Sequence, residues 1–172
     1  MLELFEANPF NLLPHVAALV VAYLLALPIG WNREREERSA GLRTFPLVAV
    51  ASCGFIQAAE SIIGNDPEAI ARIVEGIITG MGFIGGGAIL RMKESVKGTA
   101  TAASLWSTGA VGTSVGLGSY DVAIVLALIT MITLWLLSPL KSEIDRERDK
   151  DFGHERDHAS ERRSRSEVEQ NR

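Results

Sequence analysis

Five stretches of this chain are apolar over the length of a membrane span, and basic residues gather in alternate connections between them. A bilayer core is about 30 Å thick, so a spanning helix needs about 20 mostly apolar residues. The stretches are residues 12–29, 44–63, 70–90, 99–117 and 122–140. Arg33, Arg35, Arg38 and Arg43 lie between the first and second, and Arg91, Lys93 and Lys97 between the third and fourth. Lys141, Arg146, Arg148 and Lys150 follow the fifth, while the other two connections and the first residues carry no Lys or Arg. Basic residues stay on the cytoplasmic side, so five spans put the N-terminus outside and the C-terminus in the cytoplasm. Arg72, near the outer end of the third stretch, is the one exception.

Composition sharpens this reading. Charged residues make up 22% of the 172, an ordinary average, but they are sparse over 44–140 and dominant over 141–172. The expected organisation is an outer segment 1–11, an all-α polytopic membrane domain 12–140 and a largely disordered charged tail 141–172. Residues 1–11 carry Glu3 and Glu6 where a signal peptide has basic residues, so the first stretch reads as a retained span. A single cysteine, Cys53, excludes an intrachain disulfide framework. A net charge of −4 does not point to nucleic acid.

Two catalytic-looking patterns fail on context. Gly80, Gly82 and Gly85 spell G-x-G-x-x-G, but a dinucleotide site needs a preceding strand and an acidic residue about 20 positions on. Here an apolar run precedes it, and Thr and Ala stand at that distance. His154 and His158 spell H-E-x-x-H within the charged tail, where no core exists to hold a zinc cleft. No Ser–His–Asp or Cys–His set stands out, so an enzyme is not expected.

Small residues suit tight helix packing. Gly76 with Gly80, Gly82 with Gly86, and Gly112 with Gly116 each form G-x-x-x-G, the spacing that lets two membrane helices approach closely. The run Gly85, Gly86, Gly87 weakens the third span near its cytoplasmic end. Two readings stay open there: close packing, or a helix opened beside a site.

Glu60 and Glu75 are the candidate cation-binding residues. A carboxylate at a span centre costs about 2.5–3.5 kcal/mol on insertion scales, which marks it for function. Both lie toward the outer side of an antiparallel pair of spans, with Arg72 as a local partner for Glu75. With Glu3, Glu6, Asp66, Glu68 and Asp121, the outer side nets about −6, which favours divalent cations such as Mg²⁺. In the first cytoplasmic connection, Trp31 reads as an interfacial ring and Thr44 as a cap for the second helix.

Four motifs in order resemble the MgtC/SapB family of bacterial inner-membrane proteins. They are Gly30-Trp31-Asn32-Arg33-Glu34, then Gly41-Leu42-Arg43-Thr44-Phe45, then Gly80 to Gly87, then Ala100-Thr101-Ala102-Ala103-Ser104-Leu105-Trp106. The family-motif residues are thus Arg33, Glu34, Gly41, Arg43, Thr44, Gly80, Gly82, Gly85, Gly87, Thr101 and Trp106. The resemblance covers roughly 12–138. Asn32 stands where an acidic residue is usual and Phe45 where His is common. Some members carry a soluble regulatory domain after the fifth span; residues 141–172 are short and charged, so they are not expected to form one. The resemblance implies a multi-pass inner-membrane protein linked to magnesium homeostasis and to adaptation to low magnesium or acid. Two modes of action remain open: Mg²⁺ transport, or non-transporting regulation through helix contacts with another membrane protein or a second copy.

Overall fold

A computed structural model describes residues 12–36, 41–64, 66–92 and 95–137. The outer segment, the charged tail and its H-E-x-x-H pattern lie outside the described residues. The helices are α1 (Leu12–Glu36), α2 (Thr44–Ile63), α3 (Pro67–Gly87), α4 (Thr99–Gly116) and α5 (Tyr120–Leu137). Between α3 and α4 stand two short antiparallel strands, β1 (Leu90–Met92) and β2 (Ser95–Lys97), paired Leu90 to Lys97 and Met92 to Ser95. This hairpin adds to the all-α expectation.

Helix α1 runs seven residues beyond the expected end of the first span, through Glu36. The extension is charged but made of good helix formers, and Arg33 and Arg35 in the last turn complement the helix dipole. The Asn32, Arg33 and Glu34 of the first motif are therefore helical. Arg35 stacks over the Trp31 ring, 5.3 Å from its centroid.

Thr44 does not cap α2. Arg43 holds the N-cap position with no side-chain cap bond, and the amides of Thr44 and Phe45 donate to Gly41 O at 3.0 and 3.2 Å. Helix α3 begins on Asp66, whose side chain accepts from the Glu68 amide at 3.0 Å, with Pro67 in the first turn. Its last turn is the glycine run itself, closed by the Ala88 amide on the carbonyls of Ile84 and Gly85. The glycines therefore end the helix instead of kinking it in mid-span. Gly98, at φ 90°, brings the chain back so close that a Cβ would strike Ala88 O.

Helix α4 packs against α1, α2 and α3. It buries Leu105, Val111 and Val115 among Thr101, Ser104, Thr108 and Thr113. Three of these hydroxyls satisfy themselves on the helix: Ser104 on Thr101 O, Thr108 on Ser104 O and Thr113 on Gly109 O, at 3.0, 2.8 and 2.9 Å. Helix α1 contributes Ala18, Ala22, Ala26 and Ile29 to the core, a single helical stripe. Helix α5 adds Ala123 and Ala127 to the core. Ser107 hydrogen-bonds Thr130, and because Thr130 donates to Leu126 O at 2.7 Å, Ser107 is the donor between them.

The outward surface is greasy: Leu13, Leu24, Leu47, Phe55, Phe83 and Ile129 are all exposed. Three helices, α1, α3 and α5, are long and apolar enough to cross a membrane, and α2 carries a shorter apolar stretch, Thr44–Glu60. The molecule is an all-α membrane protein.

Candidate functional site

Helices α2 and α3 diverge to leave a groove of about 790 Å³. On α2 it is lined by Leu47, Val48, Ala51, Ser52, Phe55 and Ala59, and on α3 by Ile73, Gly76, Ile77, Gly80, Met81 and Ile84. Arg43 and Thr44 stand at its α2 N-terminal end. The walls are largely apolar and mix large side chains with small ones, with a guanidinium and a hydroxyl at one end.

The glycines divide by what surrounds them. A Cβ on Gly112 would strike the Ala49 carbonyl, and one on Gly116 would come within 2.8 Å of Ile56 Cβ and 3.0 Å of Cys53 O. Those two glycines are where α4 and α2 meet. At Gly76, Gly80, Gly82 and Gly87 a Cβ meets nothing within 4 Å. Among the described residues no backbone packs closely on them, because α3 turns these glycines toward the groove and the outside. Gly85 is the exception, buried 3.5 Å from Ala102 O.

At the α1–α2 connection the motif residues interlock. The Glu34 carboxylate accepts from the Leu42 amide at 3.1 Å. Gly41 lies so near Glu34 that a side chain would displace the carboxylate, and a Cβ on Gly30 would sit 3.2 Å from Gly41 O and Phe45 Cβ. Phe45 is fully buried and Arg33 is 5% exposed. Asn32 Oδ1 is sealed from solvent without a hydrogen-bond partner among the described residues. Thr101 is fully buried, whereas Trp106 is half exposed.

A second cavity, about 310 Å³, lies at the opposite end of α2 and gathers polar groups: His15, Gln57, Glu60 and Tyr120, beside Gly116 and Gly118. Gln57 and Tyr120 are sequence-silent contributors, since nothing in their spacing joins them to Glu60. Glu75 is exposed and lines neither cavity. It lies about 200° around α3 from Ile73, which lines both. Arg72 is not its partner but pairs with Glu68 at 2.8 Å. The two candidate carboxylates thus belong to different surfaces, and among the described residues no three His, Cys, Asp or Glu side chains converge as metal ligands.

Known proteins match this chain over most of its membrane region. The chain is 37% identical to an uncharacterized protein of Synechocystis sp. over 127 residues, which are 74% of this chain and 53% of that one. It is 36% identical to Protein MgtC of Salmonella typhimurium over 132 residues, 77% of this chain and 56% of the relative. Protein SrpB of Synechococcus elongatus is 35% identical, with 67% of this chain and 70% of SrpB covered. The chain thus spans a little over half the length of the first two. No solved structure matches. The MgtC family model matches residues 19–143, from α1 through α5, and the chain belongs to the MgtC family.

Proposed function

We propose that this chain is a five-span protein of the bacterial inner membrane, N-terminus outside and C-terminus cytoplasmic. It serves magnesium homeostasis and adaptation to low magnesium or acid. It does so by binding another membrane protein, not by catalysis or by moving ions. Family membership supports the physiological setting. The arginines around α1 and α2 and the basic residues of the hairpin support the orientation.

One observation carries the binding mode. The α2–α3 groove is apolar, and its lining includes the small residues Ala51, Ser52, Gly76 and Gly80, which admit a close-lying helix. Gly76→Leu and Gly80→Leu test it, because each side chain enters open space and fills the groove without straining the fold. Both variants are expected at normal membrane levels, with the co-purifying membrane protein lost and growth at low Mg²⁺ reduced as in a deletion strain. Wild-type growth of the double variant rejects this mode.

A second reading, ion transport, is favoured by the cavity around Glu60 with His15, Gln57 and Tyr120. In liposomes it requires Mg²⁺ uptake that Glu60→Ala diminishes. Absence of uptake by the wild-type chain removes it.

A further inference from the structure

The outward face of α3 carries a seam that the other described residues leave uncovered. Glu68, Arg72, Glu75, Thr79, Gly82 and Gly86 follow one another at alternating steps of four and three, and all are exposed. That 3.5-residue spacing keeps one line of a helix turned toward a neighbouring helix. The seam lies on the far side of α3 from the groove, whose lining includes Ile73 and Gly80. At its lower end, Cβ atoms on Gly82 or Gly86 would meet nothing within 4 Å.

Glu75 is the residue that asks for a neighbour. Among the described residues its carboxylate has no hydrogen bond or ion pair, while its backbone carbonyl accepts from the Thr79 hydroxyl at 2.9 Å. Gly87 follows Glu75 by twelve residues, a rise of about 18 Å. With Gly87 at one boundary of a core about 30 Å thick, Glu75 lies about 12 Å below the other. Ionisable groups at such depth face protein or water, and they pair. Here the carboxylate faces away from both cavities and has no counter-charge among the described residues, which leaves that place to a neighbouring chain.

The charge order supplies one. Along the seam Glu68, Arg72 and Glu75 read negative, positive, negative; in a parallel two-fold pair each lies level with its copy, and Arg72, which pairs with Glu68 in its own chain, is placed to reach diagonally to Glu75 of the other. Arg72 lies three residues above Glu75, a rise of about 4.5 Å, which an arginine side chain spans. We propose that α3 pairs in parallel with α3 of a second copy, a two-fold contact in which Arg72 of each chain meets Glu75 of the other. Thr79, Gly82 and Gly86 let the two backbones approach below that charge layer.

Disulfide mapping of the full chain in native membranes tests this, and Cys53, being fully buried, stays in place. Thr79→Cys, Gly82→Cys and Gly86→Cys are expected to form inter-chain disulfides about tenfold more readily than Ile78→Cys and Gly80→Cys, which lie off the seam. Adding Glu75→Arg to Gly82→Cys lowers the yield about tenfold, and adding Arg72→Glu as well restores it. Gly80→Leu, which fills the groove, leaves the Gly82→Cys crosslink unchanged, so failure of the groove reading and failure of the pairing are told apart. Equal yields all along α3, a maximum at Gly80, or yields indifferent to the charge exchange overturn the pairing.

Discussion

At Gly112 a Cβ has nowhere to go, because the Ala49 carbonyl of α2 occupies the place and backbone moves only with its helix. Gly112→Ala is therefore expected to cost about 1–3 kcal/mol, the usual toll of overpacking, read from unfolding in mixed micelles. Gly76→Ala enters open space and is expected to be neutral or to stabilise by up to about 1 kcal/mol through helix propensity. The two glycines are indistinguishable in sequence, since both open a G-x-x-x-G on an apolar run. What separates them is which way each helix is turned, and that is decided by tertiary packing across some sixty residues of chain, beyond the reach of local spacing. Glu34 is a similar case. Its role as acceptor for the Leu42 amide spans a connection eight residues long, while Thr44, the nearer oxygen, looked like the cap. Replacing Glu34 by Ala leaves that exposed amide to water and is expected to cost about 0.5–1 kcal/mol, with Gln recovering most of it.

The same division runs through the elements. All five apolar segments are helical because apolar length is itself a physical requirement, readable in any window. Their ends are less legible. Asn32 to Glu36 are charged or polar and look like loop to a hydropathy scale, yet they continue α1 because such residues form helix well when the dipole is complemented. The hairpin after α3 hides in a short basic break, and only Gly98, with its positive φ, marks where the chain must turn back. Between α4 and α5 the Ser107–Thr130 hydrogen bond joins two helices inside the apolar zone. A double-mutant cycle with Ser107→Ala and Thr130→Ala is expected to give a coupling of about 0.6 kcal/mol, with about 1.7 as the upper bound for such bonds in membranes.

Across the whole molecule, the proposed orientation assigns a side to every connection. Single cysteines at residues 65 and 119 are expected to react with a membrane-impermeant thiol reagent from outside the cell, and those at residues 38 and 94 only after the membrane is opened; the reverse pattern refutes the topology. The helix at the centre of the fold has a further consequence. Lined by threonine, serine and glycine whose hydroxyls answer its own carbonyls, α4 is shielded by helices more apolar than itself. A helix of that composition gains too little from lipid to leave water unaided. Under the proposed topology, entry of the fourth segment into the membrane is expected to depend on α1, α2 and α3 being there to receive it.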